Sequence, residues 1–207
     1  ASAKALRSIQ MNDLPELDPD RRVLGVIRPT VECIGDITQN RHVGILATSG
    51  TIKSESYPLE IHKLFPEIQV SGIACPMWVA LVENNESQNE GADYFIKRKV
   101  IETVAHYYLD SFIETNSVEN LVLGCTHYPI LFPKIREYTP DGIRVIAQGE
   151  YVAESLKDYL HRHPEMDAKC TRNGNCLFYT TEAEDKFIES ASTFLNQQIN
   201  VKRITLE

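Results

Sequence analysis

The chain has 207 residues, a net charge of −8 and a hydrophobic fraction of 43%, enough apolar matter for one large domain or two small ones. The acidic balance argues against a nucleic-acid partner held through phosphates, and the longest apolar runs are too short for a membrane span. The cysteines are odd in number, five, and dispersed at positions 33, 75, 125, 170 and 176. That is no disulfide framework, and it points to free thiols in a reducing, cytoplasmic setting.

Short apolar runs alternate with longer amphipathic ones. A strand is expected over Arg22–Ile27, followed by Pro29 and a helix-like stretch to about Gln39. His42–Thr48 reads as the next strand, and Thr51–Leu64 as a helix after a Ser49-Gly50 turn. Ile68–Ala74 is a further strand, and 84–91 is polar and turn-like. A long helix follows from Tyr94 to Thr115, with apolar residues near helical spacing. Then come a strand over Glu119–Gly124 and a helix opened by Tyr128-Pro129. The pattern continues with a strand at Gly142–Ala147, a helix at Glu150–His161, a polar loop from Pro164 to Asn175, a strand at Asn175–Thr180, a helix at Glu182–Leu195 and a strand at Val201–Leu206. Such alternation predicts an α/β fold with mainly parallel sheets.

The segment richest in chemistry is Leu121-Val122-Leu123-Gly124-Cys125-Thr126-His127-Tyr128-Pro129. An apolar strand ends in glycine, a thiol comes immediately after it, and a helix begins three residues later. Ligand sites of open α/β sheets collect at that edge, and a helix N-terminus is expected to lower the thiol pKa. Thr126 adds a hydroxyl and a backbone donor, and His127 an imidazole. From the residues alone the thiol is open to three roles: nucleophile, metal ligand or acid/base. Zinc needs three or four ligands, and no second Cys or His stands at ligand spacing nearby, so no metal is expected. A buried structural cysteine is the bland alternative. Cys75 and Cys33 read as structural, and Cys170 and Cys176 as free thiols in a loop near His161 and His163, with a metal knuckle or redox pair as the other option.

The Leu-Gly-Cys-Thr-His-Tyr-Pro segment resembles the second catalytic segment of glutamate racemases. Val43-Gly44-Ile45-Leu46-Ala47-Thr48-Ser49-Gly50-Thr51-Ile52-Lys53-Ser54 is similar to that family's strand and substrate-binding turn. Ala74-Cys75-Pro76-Met77-Trp78-Val79-Ala80-Leu81-Val82-Glu83 is similar to its segment carrying a glutamate near the active site. Leu24-Gly25-Val26-Ile27 with Pro29, and Phe178-Tyr179-Thr180-Thr181, also resemble the family, although Arg28 stands where an acidic residue is expected. The resemblance implies two doubly wound α/β domains with pseudo-twofold symmetry and the active site between them: 41–144 as one domain, 1–40 with 145–207 as the other. It implies interconversion of L- and D-glutamate by two thiols, without pyridoxal phosphate or any other cofactor, in supply of D-glutamate for peptidoglycan. Cys125, His127 and Glu83 are then the catalytic residues, and Thr126, His127, Thr48 and Thr51 the substrate-binding ones. Glu83 could instead be a solvated turn residue, His127 a core histidine, and Thr48 and Thr51 a helix-capping pair with Thr51 or Ser49 as the N-cap.

The family's Asp-Ser-Gly and Cys-Asn-Thr-Ala motifs are absent from these residues, and Ala1-Ser2-Ala3-Lys4-Ala5-Leu6 resembles the family's segment directly after the second of them. The expectation is a longer native protein that carries the first thiol, with the first domain incomplete over these 207 residues and the 207 residues inactive alone. The partner is a small molecule, glutamate, with neither nucleic acid nor membrane, and a homodimer is left open. Competing expectations are an aspartate or hydantoin-type racemase, a non-catalytic racemase-like binding module, and a cysteine hydrolase.

Overall fold

A computed structural model describes residues 2–84, 93–195 and 197–205. The polar stretch expected over 84–91 therefore lies, beyond Asn84, outside the described residues. The chain divides into two compact units, Ala1–Asp158 and Tyr159–Glu207.

The first unit opens with α1 (Ser2–Ser8), a π-helical turn over Ile9–Asp13 and a short α2 (Leu14–Leu17). The residue pattern predicts no element there. The strand expected over Arg22–Ile27 is absent; residues 21–25 have no regular pairing, and α3 runs from Ile27 to Ile37. No described strand lies beside this segment to share a ladder, and its backbone is caught instead by Gln10, whose Nε2 donates to the Val23 carbonyl. Pro29 fits the first turn of α3, where its missing N–H costs nothing, and an Arg28–Glu32 ion pair at 2.9 Å supports the same turn.

Four strands build the sheet: β1 (His42–Ala47), β2 (Gln69–Ala74), β3 (Asn120–Leu123) and β4 (Arg144–Ala147). All pair in parallel in the order β2-β1-β3-β4. β1 and β3 are central and buried along nearly their whole length, which is why they read as unbroken apolar runs. Each strand feeds a helical return. α4 (Ser49–Lys53) and α5 (Ser56–Leu64) follow β1, and α6 (Pro76–Glu83) and α7 (Tyr94–Asn116) follow β2. A 3-10 turn over Tyr128–Leu131 and α8 (Phe132–Glu137) follow β3, and α9 (Gln148–Arg162) follows β4. The helix expected over Thr51–Leu64 is two helices, because Glu55 takes a left-handed backbone (φ 52°) between them and Ser54 turns its hydroxyl back to the Thr51 carbonyl at 2.7 Å.

The two sheet faces carry separate cores. Val31, Ile34, Val43, Ile45, Tyr57, Ile61, Val122 and Ile146 pack on one side. Leu46, Leu121, Leu123 and Val145 meet Trp78, Leu81, Leu109, Phe112 and Leu131 on the other. Gly44 permits the second layer to close: a Cβ there would lie 2.8 Å from the Phe112 ring. Trp78 is the largest fully buried side chain, set edge-on to Tyr108 at 5.5 Å and Tyr128 at 5.0 Å.

The second unit takes up the end of α9, then α10 (Pro164–Asp167), β5 (Phe178–Thr180), α11 (Glu184–Leu195) and β6 (Val201–Arg203). β5 and β6 pair in parallel, Phe178 opposite Val201 through Thr180 opposite Arg203. Glu184, in the first turn of α11, accepts the Arg203 N–H at 2.8 Å and ties helix to strand. The polar loop expected over Pro164–Asn175 thus contains one short helix.

Candidate active site

β1 lies between β2, which comes next in the chain, and β3, which comes later. The chain reverses direction across the sheet between β1 and β3, and a crevice opens at the carboxyl ends of such a pair. Their last paired residues are Leu46 and Leu123. Thr48 and Cys125 each lie two residues beyond, so the two segments singled out from sequence leave the sheet side by side. The Gly124 N–H donates to the Leu46 carbonyl at 2.7 Å, extending the ladder to the residue before the thiol. A Cβ on Gly124 would stand 3.1 Å from both the Ala47 Cβ and the Tyr57 ring, so the close approach of the strand ends selects glycine.

Cys125 is half-buried. Its Sγ lies 3.8 Å from His127 Nδ1, and His127 Nε2 lies 3.1 Å from Glu83 Oε1. Three residues named from sequence therefore form one connected row, with Glu83 reaching in from the end of α6. When Nε2–H donates to the carboxylate, Nδ1 is left as the acceptor that faces the thiol. That geometry lets His127 take or return a proton at Sγ, with Glu83 fixing the tautomer. Glu83 is exposed yet paired with His127, and His127 is half-buried.

The expected depression of the thiol pKa is overturned. Burial pushes Cys125 up; the His127 and Tyr128 backbone N–H groups pull it back, and the Glu83 carboxylate pushes it up again. The element after the thiol is a single 3-10 turn of four residues, not a long helix with a full dipole. Neutralising Glu83 removes a negative charge that disfavours the thiolate. The expected result for Glu83→Gln is that Cys125 labelling by iodoacetamide begins at lower pH than in the unaltered protein, read peptide by peptide by mass spectrometry. An unchanged or higher midpoint would contradict the arrangement.

Thr48 is the N-cap of α4: its Oγ1 accepts the Thr51 N–H at 3.4 Å and lies 3.1 Å from Thr51 Oγ1. The capping role expected as the alternative has Thr51 or Ser49 as the N-cap; the cap is Thr48 instead, and the pair presents two half-buried hydroxyls beyond the ends of β1 and β3. Thr126 is exposed beside Cys125.

Sequence reasoning misses the frame around the thiol. Tyr57, almost wholly buried, donates its hydroxyl to Gln148 Oε1 at 2.9 Å, joining α5 to the end of β4. The buried Tyr128 donates to the Cys75 carbonyl at 2.8 Å, tying the turn after Cys125 to the end of β2. One signal could have found Gln148, since it stands directly after the fourth strand at the same sheet edge. Cys75 is fully buried at the start of α6 and held neutral by desolvation, in keeping with a structural role. Cys33 is half-buried on α3, its Sγ 2.9 Å from the Thr30 carbonyl. Cys170 and Cys176 are both exposed. Among the described residues no three His, Cys, Asp or Glu side chains cluster as a metal site, and no helix is long and apolar enough to cross a membrane.

No protein-family model matches the chain. The glutamate racemase of Listeria monocytogenes is 33% identical over 208 residues, covering 100% of this chain and 71% of the relative. The chain belongs to the glutamate racemase family. The glutamate racemase of Bacillus cereus is 34% identical over 186 residues, 89% of this chain, and the chain spans 65% of that relative's length. Solved structures agree: glutamate racemase from Bacillus anthracis superposes with a TM-score of 0.78 at 26% identity over 99% of this chain and 70% of that one. The Francisella tularensis glutamate racemase, solved in complex with D-glutamate, gives 0.77 at 26% identity over 98% and 71%. Family membership thus accords with an α/β fold built on a parallel sheet.

Proposed function

We propose that the whole protein interconverts L- and D-glutamate without pyridoxal phosphate, in the cytoplasm, and so supplies D-glutamate for peptidoglycan. The observation that carries this reading is the Cys125–His127–Glu83 row at the carboxyl end of β3, in a chain of the glutamate racemase family. Binding of D-glutamate by the Francisella tularensis relative supports the choice of substrate. In this reading Cys125 works on one face of the substrate Cα, removing the proton as thiolate or delivering it as thiol. His127 handles the proton at Sγ, and Glu83 holds the imidazole. Thr126, Thr48 and Thr51 place donors on the α-carboxylate, where negative charge builds as the Cα–H bond breaks. The opposite face requires a second thiol. The two-domain division at 41–144, against 1–40 with 145–207, and a homodimeric state belong to the same proposal.

The test is racemisation by the full-length protein, followed by optical rotation from each enantiomer. Glutamate is expected to lose rotation from either side, and aspartate to react about 10- to 200-fold more slowly, as a pocket fitted to a side chain one methylene longer would impose. Equal or faster turnover of aspartate would move the reading to an aspartate racemase. No turnover of either amino acid would leave a binding module.

A further inference from the structure

Three strand ends meet beside the thiol. Leu46 pairs with Leu123 and Leu123 with Ala147, so Ala47, Gly124 and Gln148 stand one residue further on, side by side at the ends of β1, β3 and β4. Successive residues of a strand face opposite sides of the sheet. Ala47 packs in the first core together with Tyr57, whereas Cys125, the residue after Gly124, packs against the second. The thiol therefore stands on one face, and Tyr57 lies under the residue before it on the other.

Tyr57 spans this row. Its ring packs on Gly124, where a Cβ would lie 3.1 Å from Tyr57 Cε2. Its hydroxyl donates to Gln148 Oε1 at 2.9 Å, and the Gln148 amide nitrogen contacts the same oxygen. Gly124 is thus held twice, by its N–H on the Leu46 carbonyl at 2.7 Å and by the Tyr57 ring. While the hydroxyl is fixed on Gln148, that ring cannot slide along the sheet. Tyr57 is 2% exposed. Burial raises its pKa, the bond to Gln148 pulls it back, and the Cys125 charge raises it again. The phenol therefore stays neutral, and the thiol lies within its electrostatic reach.

We propose that Tyr57 and Gln148 are positioning residues for Cys125: their hydrogen bond locks the ring that supports Gly124 and so fixes where the thiol stands. They act through Gly124 and not on the substrate. A displacement of about 1 Å can cost a proton-transfer group about 100-fold in rate, so this one bond matters to turnover far more than to stability. The effect on turnover rests on the racemase reading; the placement of the thiol is measurable without glutamate.

The test removes one partner and then both. Tyr57→Phe keeps the ring but takes the donor from Gln148, and Gln148→Met leaves a buried hydroxyl without its acceptor; each is expected to lower the melting temperature. The double variant replaces both partners by apolar groups of similar shape and is expected to regain it. In the full-length protein, kcat for glutamate should fall about tenfold or more in either single variant. KM should stay within about threefold, since Thr48 and Thr51 cap and build α4 and are untouched. In the double variant kcat should remain low although the fold is restored. Alkylation of Cys125 by iodoacetamide, at a pH where the thiolate is fully formed, should run about threefold faster or more in all three variants, as the turn around the thiol opens. Recovery of kcat and alkylation together with the melting temperature in the double variant would show a purely structural tie and overturn the proposal. Single variants with unchanged kcat and alkylation would overturn it as well. A full-length protein without glutamate turnover would sink the racemase reading, and the alkylation rates would then decide the positioning of Cys125 by themselves.

Discussion

Cys125→Ala in the full-length protein is expected to lower glutamate racemisation by about 10²- to 10⁴-fold, the range that loss of a positioned proton-transfer group produces. Alanine keeps the small volume of a half-buried site, so the folded state should survive and the loss should appear in kcat. Cys125→Ser preserves shape and the contact to His127 but raises the acid's pKa far beyond the thiol range. It should therefore fall close to the alanine variant. Optical rotation from each enantiomer and a thermal melt separate chemistry from folding. Turnover within a few fold of the unaltered enzyme would remove Cys125 from the mechanism, whatever the geometry around it.

Trp78→Ala carries the largest expected cost in stability. The indole is 1% exposed and packs edge-on between Tyr108 and Tyr128. Its removal leaves a cavity between α6, α7 and the turn after β3, and truncation of a buried aromatic costs about 3–5 kcal/mol. For a protein of this size that lowers the melting temperature by about 6–20 °C. Activity should fall as well, since Tyr128 adjoins His127 and its hydroxyl fixes the turn to the Cys75 carbonyl. Trp78→Phe, which refills part of the space, should recover a good share of both. A melting temperature unchanged by the alanine substitution would show that this cluster is not the centre of the second core.

Much of this site is visible in the amino-acid order, for physical reasons. β1 and β3 are buried on both faces, so their sequences are unbroken apolar runs. Chemistry at a strand end must use the next few residues, so Thr48 and Cys125 stand directly after those runs. The features that are not legible depend on contacts distant in the chain. α6 begins at Pro76 inside an apolar stretch with no polar face to betray its period. Arg22–Ile27 has strand composition, but β pairing needs a neighbour, and the described residues offer none. The direction of the thiol's pKa is set chiefly by burial beside chain segments far off in sequence, which the local turn does not reveal. Tyr57 and Gln148, 91 residues apart, can be paired only by the fold.

Deuterium incorporation at the glutamate Cα, measured by mass spectrometry in D₂O, tests the central claim most directly. The full-length protein is expected to place one solvent deuterium on Cα of each glutamate it inverts, and Cys125→Ala to lose that product. Inversion without solvent deuterium, or unchanged formation of the inverted, deuterated product by the Cys125→Ala protein, would contradict proton transfer at this thiol.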